Sequence, residues 1–205
     1  MVDEQLRARG IVDERVLAAM GRVPRELFVP ETEWSYAYSD AALPIGEGQT
    51  ISQPFMVAVI CEALALEGEE RVLDVGTGSG YQAAVLAELA AEVHTIERLP
   101  RLADRARLSL AAAGYERVQV HVGDGTLGLP EEAPFGAIAV AAAAPDVPPA
   151  LYDQLEPGGR LVVPVGGRYG QELQIVVRGP EGPVVRYSVP CRFVPLVGEE
   201  GFRQG

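Results

Sequence analysis

The chain has 205 residues, of which 48% are apolar and 22% charged, with a formal net charge of −12. That length suits one full-sized domain with a short appendage around one core, and the composition is that of a globular chain rather than a disordered or membrane-embedded one. The charge repels phosphate backbones and no basic arm offsets it, so nucleic acid is not the expected partner.

The apolar runs, such as Ala137 to Ala144, are far too short to span a bilayer, and no basic, apolar leader opens the chain. A cytoplasmic protein without a membrane partner is therefore expected. Cys61 and Cys191 lack Cys-x-x-Cys or histidine spacing and read as buried reduced thiols, with no metal. The sequence contains no lysine and no asparagine. The first absence removes a Walker A lysine and any Schiff-base chemistry. The second fits either heat adaptation or base composition.

Leu6, Ile11, Val12, Val16, Leu17 and Met20 suit one or two short helices, with Asp13 as an N-cap. Pro24 marks a helix restart. Residues 29–50 read as an irregular, aromatic-weighted segment carrying Trp34, Tyr36 and Tyr38, and a helix resumes after Pro54, where Met56, Val59, Ile60, Ala63 and Leu64 keep helical spacing. From Arg71 short apolar strands alternate with helices: strands at 71–75, 92–96, 117–122, 135–140 and 159–164, helices at 79–89, 101–113 and 147–154. That alternation predicts an α/β fold with a mostly parallel sheet covered on both faces. Residues 172–178 and 184–189 flank Gly179-Pro180-Glu181-Gly182 and read as an antiparallel C-terminal hairpin at the sheet edge. A single domain results, with 1–66 as an N-terminal helical, substrate-side segment, 71–190 as the cofactor-binding core, and 191–205 as a C-terminal segment.

The first strand runs into Gly76-Thr77-Gly78-Ser79-Gly80 and then a helix, a place where glycines permit a tight turn and helix N–H groups face a ligand. Asp74 precedes the loop, and Glu97 ends the next strand, where a carboxylate can accept both ribose hydroxyls of an adenosine. Asp124, in Gly123-Asp124-Gly125, stands at a third strand end and is expected to accept from an adenine amino group. Tyr81 takes the slot of the third glycine in a dinucleotide fingerprint, and no arginine lines the loop. The cationic S-adenosylmethionine therefore fits better than a diphosphate. Its methionine carboxylate is expected at the helix end.

The segment after the fourth strand, Val140 to Pro145, is alanines, with nothing to read or stack a nucleobase. Such a site suits an acceptor that is already anionic, and a carboxylate with a pKa of about 4 qualifies. Its donors are sought in Gly48-Gln49-Thr50-Ile51-Ser52-Gln53-Pro54: the hydroxyls of Thr50 and Ser52 can hold a carboxylate, while the alternative for Ser52 is a helix N-cap. A serine hydrolase built on Ser79 is disfavoured, because the loop misses G-x-S-x-G at both outer positions and His94 and His121 fall in strands, where they read as structural.

Together Leu43-Pro-Ile-Gly46, Gly48 to Pro54, Gly76-Thr-Gly-Ser-Gly-Tyr-Gln-Ala-Ala84, Ile96-Glu-Arg98, Gly123-Asp-Gly125, Pro164-Val-Gly166 and Phe193-Val-Pro-Leu196 resemble the protein-L-isoaspartate O-methyltransferase family over nearly the whole chain. The resemblance implies a Rossmann-like class I S-adenosylmethionine-dependent methyltransferase fold. It also implies methyl transfer to the α-carboxylate of L-isoaspartyl residues in damaged proteins and peptides, repaired through a succinimide; a monomer is expected. It assigns Ser52 as the active-site serine and Thr50 and Ile51 as neighbours of the cofactor. Asp74, Gly76, Thr77, Gly78, Ser79, Gly80, Glu97, Asp124 and Gly125 become cofactor residues, Gln171 closes over the cofactor, and the Phe193–Leu196 run shapes the peptide groove. Where Gly136 stands the family usually has Asp, read as a local stability cost of about 0.5–1 kcal/mol.

Overall fold

The computed structural model describes residues 1–167 and 170–203. Asp13 caps α1 (Glu14–Arg22) by accepting from the N–H groups of Arg15 and Val16, as its side chain predicts. Short helical turns follow at Arg25–Phe28 and Glu31–Tyr36. The segment read as irregular then contains a small antiparallel hairpin, β1 (Leu43–Gly46) with β2 (Gln49–Ile51). Its two-residue loop, Glu47-Gly48, has positive φ at both positions, 54° and 70°. That is the backbone of a tight hairpin turn, but with Glu where Asn or Asp gives the usual signal. Helix α2 (Pro54–Leu64) starts with Pro54 in its first turn, where a missing N–H costs nothing.

A seven-stranded sheet forms the centre. Its strands are β3 (Arg71–Val75), β4 (Glu92–Glu97), β5 (Gln119–Val122), β6 (Phe135–Val140), β7 (Leu155–Gly167), β8 (Gly170–Gly179) and β9 (Gly182–Cys191). They lie in the order β5-β4-β3-β6-β7-β8-β9. The first four neighbouring pairs are parallel and the last two antiparallel. Helices α3 (Tyr81–Ala87) and α4 (Pro100–Ala112) cross over between parallel strands. Residues from α1 to α4, among them Leu17, Ile60, Leu86 and Leu102, pack on one face of the sheet. Leu151 of α5 (Pro149–Asp153), with Leu129 and Leu196, packs on the other. Strand order reverses between β3 and β6, so their carboxyl ends open a crevice there.

Strand β7 begins at Leu155, earlier than the expected 159, because Phe135 pairs with Leu155 before the register shifts and Ala137 pairs with Arg160. Gly159 sits within that irregularity, where a Cβ would meet the backbone oxygens of Glu156 and Gly136. Helix α3 starts at Tyr81 rather than 79, since Gly80 at φ 90° is its N-cap.

Gly136 is less of a loss than its residue type suggests. A Cβ there would meet Glu156 Oε1 at 2.5 Å and Glu70 Cβ and Cγ at 3.0 Å, and the Glu70 carboxylate is already bonded to the N–H groups of Glu67 and Gly68. The exposed Glu156 side chain can swing aside, but Glu70 Cβ and Cγ stay close, and a carboxylate would join two others. Gly136→Asp should therefore lower the thermal midpoint, by an overpacking cost of about 1–3 kcal/mol; a midpoint raised in differential scanning calorimetry would mean that the glycine is the weaker choice.

Candidate functional site

Asp74 and Val75 end β3 on opposite faces of the sheet, as alternation requires. The chain then turns through Gly76, Gly78 and Gly80 at φ 93°, 54° and 90°, a region that favours glycine. The loop is bolted to the end of β4. The N–H groups of Gly76 and Thr77 donate to the Ile96 carbonyl at 2.9 and 3.3 Å. That of Gly78 donates to Glu97 Oε2 at 2.9 Å. Gly80 N–H donates to the Thr77 carbonyl, and Tyr81 N–H to Ser79 Oγ at 3.2 Å. Most of the loop's amides are thus engaged within the protein. Ser79 Oγ is thereby engaged by the first amide of the seven-residue α3, just ahead of the Gly80 N-cap.

Thr50, Ile51, Ser52, Gly76, Thr77, Gly78, Ser79, Glu97 and Gly125 line one cavity at the carboxyl edge of the sheet. Gly125 lies close enough to β3 that a Cβ would meet Val75 Cγ1 at 2.8 Å. Glu97 accepts from Gly78 N–H and, through Oε1, from Leu99 N–H at 3.0 Å, which leaves lone pairs for ligand hydroxyls.

Four expected residues do not line that cavity. Asp74 is fully buried beneath the loop, where Gln82 Nε2 donates to Oδ1 and Thr95 Oγ1 to Oδ2, both at 2.8 Å. Its position one residue before the strand end turns it toward α3, while Val75 faces the cavity. Gly80 packs against Leu110 and Ala106 of α4. Asp124 accepts from Thr126 N–H and Oγ1 and, through Oδ2, from Glu199 N–H. Its carboxylate therefore ties the C-terminal segment down. Gln171 bonds both polar groups of Phe193, donating to the carbonyl at 3.2 Å and accepting from the N–H at 2.6 Å. It holds the segment that follows rather than closing over the cavity itself.

That segment matters more than expected. Val194 to Val197 line the same cavity, held there as Ala143 N–H donates to the Val194 carbonyl and Leu196 N–H to the Ala143 carbonyl. Arg98, Leu99, Tyr81, Gln82, Ala141 and Ala142 also line it. Gln82 carries a signal of its own: Oε1 is buried without a hydrogen-bond partner, an acceptor awaiting a donor.

A second groove adjoins the first. Thr50, Ser52, Ala141 and Val194 belong to both, and Arg9, Phe55, Met56, Arg192 and Phe193 extend the second outward. Ser52 is not the N-cap of α2, a position taken by Gln53. Among the described residues its hydroxyl has no hydrogen-bond partner. His94 and His121 line neither cavity. They stack within the sheet, with His94 Nδ1 3.1 Å from His121 Nε2. Cys61 is buried as expected but Cys191 only half-buried; burial pushes both thiols up, the latter to about 11, and no helix of the described residues is long and apolar enough to cross a membrane.

Comparison with known proteins agrees across the chain. The family model described as protein-L-isoaspartate(D-aspartate) O-methyltransferase matches residues 1–201. The chain is 57% identical to the protein-L-isoaspartate O-methyltransferase of Methanoculleus marisnigri, over 99% of this chain and 92% of that one. It is 58% identical to protein-L-isoaspartate O-methyltransferase 2 of Marinobacter nauticus, over 98% and 93%. A solved protein-L-isoaspartate O-methyltransferase superposes with a TM-score of 0.88 at 29% identity, covering 98% of this chain and 67% of the other. A Plasmodium falciparum structure described as a putative member of the same family, in complex with S-adenosyl-L-homocysteine, gives 0.84 at 27% identity, covering 96% of each chain.

Burial pushes the Asp74 carboxyl up to about 7, against the pull of the bonds from Gln82 and Thr95 and with a further rise from the Glu97 charge. An unfolded chain loses that proton near pH 4. Folded protein keeps it to higher pH, so the Asp74 contribution makes stability fall as pH rises from about 4 to 7 and level off above. Asp74→Asn should flatten the decline in thermal midpoint between pH 5 and 8; parallel pH profiles for the two proteins would show that Asp74 does not titrate there.

Proposed function

The chain belongs to the protein-L-isoaspartate(D-aspartate) O-methyltransferase family, and we propose that its two joined cavities divide that reaction between a methyl donor and a peptide. S-adenosylmethionine takes the inner cavity, and the outer groove takes the chain around an L-isoaspartyl residue. One observation carries this reading: Thr50, Ser52, Ala141 and Val194 are common to both spaces. An oxygen entering from the groove meets a methyl group held in the inner cavity at Ser52.

The inner cavity suits the donor's chemistry. Glu97 offers carboxylate lone pairs for the ribose hydroxyls, and Gln82 Oε1, buried and unpartnered, offers an acceptor for the ammonium. Thr77, Gly78 and Ser79 give the loop wall, Gly125 leaves room beside Val75, and Thr50 and Ile51 close the near side. Asp74, Gly80, Asp124 and Gln171 act on the site at one remove, by holding the loop, α3 and the Phe193–Val197 segment. When bound, S-adenosylmethionine supplies a methyl group on a sulfonium, already electrophilic.

The residues here need do little proton chemistry, because the acceptor α-carboxylate is ionised at neutral pH. Ser52 donates its hydroxyl hydrogen to one carboxylate oxygen and fixes the direction of the other, in the manner of a positioned donor rather than a nucleophile. Ala141 and Val194 keep water from the junction, which leaves the oxygen less solvated and more reactive. Alignment of oxygen and methyl group then supplies most of the acceleration. The product ester closes to a succinimide without the enzyme as the following amide nitrogen displaces methanol, and water opens part of that to aspartate.

Radiolabelled S-adenosylmethionine and paired peptides differing only in Asp versus L-isoAsp test the reading. Label should enter the isoaspartyl peptide alone, and Ser52→Ala should cut turnover by about 100-fold while S-adenosylhomocysteine binds as before. Equal labelling of both peptides would contradict the substrate, and unchanged turnover in Ser52→Ala would contradict the role of the hydroxyl.

A further inference from the structure

Arg25 is fully buried, in a chain with net charge −12, yet no carboxylate lies within ion-pair distance of it among the described residues. Its guanidinium donates through Nε to the Ala37 carbonyl at 2.8 Å and through Nη2 to the Ser52 carbonyl at 2.7 Å. The cation lies 4.7 Å from the centre of the buried Tyr81 ring, and Tyr81 is among the residues around the inner cavity. Nη1 is buried without a partner. Burial also pulls the guanidinium pKa down from its ordinary value.

This is a costly way to fill space. A buried cation without a counter-ion is readily replaced by an apolar side chain when only packing is at stake. What a packed methionine cannot do is reach two carbonyls at once. Ala37 follows the Glu31–Tyr36 turn, and Ser52 lies between the end of β2 and the start of α2, where the sheet ladder has stopped. The fork of Arg25 cross-links these segments on either side of the hairpin, and its cation sits over the ring of Tyr81, the first residue of α3. Lysine, a point charge on a flexible stem, cannot reproduce that fork.

We propose that Arg25 is a positioning residue for methyl transfer, fixing the Ser52 carbonyl and so the direction in which the Ser52 hydroxyl meets the substrate carboxylate. It acts through Ser52 and touches neither substrate nor donor. The inference rests on the role given to Ser52 above.

A double-mutant cycle tests it, with kcat and KM for the isoaspartyl peptide, S-adenosylhomocysteine Kd and thermal midpoint measured for wild type, Arg25→Met, Arg25→Lys, Ser52→Ala and Ser52→Ala with Arg25→Met. Arg25→Met should lower kcat by about 10-fold or more, as expected of a misplaced reacting group, with Kd little changed. Arg25→Lys should fall between. In the Ser52→Ala background the same Met substitution should cost almost nothing further, because the group being aimed is gone. A wild-type kcat in Arg25→Met, or an equal loss in both backgrounds, overturns the proposal. Should Arg25→Met fail to fold, Arg25→Lys decides: reduced kcat with an unchanged midpoint supports the proposal, and wild-type kcat overturns it. Wild type in the same assay reports the isoaspartyl reading separately, since it can label the peptide while Arg25 proves dispensable.

Discussion

The carbonyl of Ile96 accepts from the N–H groups of both Gly76 and Thr77, and the rest of the site hangs on that attachment. It joins the turn after β3 to the end of β4, so the two strand ends that form one wall of the crevice are tied together. Glu97 adds a third bond through Gly78 N–H, and the same carboxylate faces the cavity. A residue that shapes the loop thereby also presents acceptors to a ligand. Only glycine adopts the positive φ of this turn without strain, which is why the sequence spends three of them in five residues.

A second wall is brought to the first from both chain ends. The hairpin β1–β2 delivers Thr50 and Ser52, and the segment after β9 delivers Val194 to Val197. Neither is part of the central sheet, so each needs its own fastening. Arg25 supplies it at Ser52. Gln171 and Ala143 supply it at Phe193, Val194 and Leu196, and Asp124 holds Glu199 beyond them. Asp124 and Gln171, both expected at the cofactor, make these fastenings.

The contrast shows how far a sequence reveals such a site. Alternating strands and helices from Arg71 to Val140 were legible because the apolar period changes at each boundary, and the glycine loop was legible because its backbone demand is local. Which way a carboxylate points was not. Asp74 and Glu97 both stand near strand ends, but Val75 and not Asp74 is the last residue of β3, and one position decides between a cavity wall and the underside of the loop. The β1–β2 hairpin escaped notice because its strands are three and four residues long and its turn is Glu-Gly. Arg25 and Gln82 carry no local signature at all: one becomes notable only when it is buried without a carboxylate, the other when an acceptor beside the cavity lacks a donor.

The central claim is that Ser52 stands where a peptide carboxylate meets the methyl donor. A crystal structure with S-adenosylhomocysteine and an isoaspartyl peptide tests it most directly. The account predicts S-adenosylhomocysteine in the cavity of Glu97 and Gly78, and the isoaspartyl α-carboxylate between Ser52 and Ala141 with an oxygen about 2.6–3.2 Å from Ser52 Oγ. A carboxylate bound elsewhere in the groove, with Ser52 facing only solvent or S-adenosylhomocysteine, would contradict it.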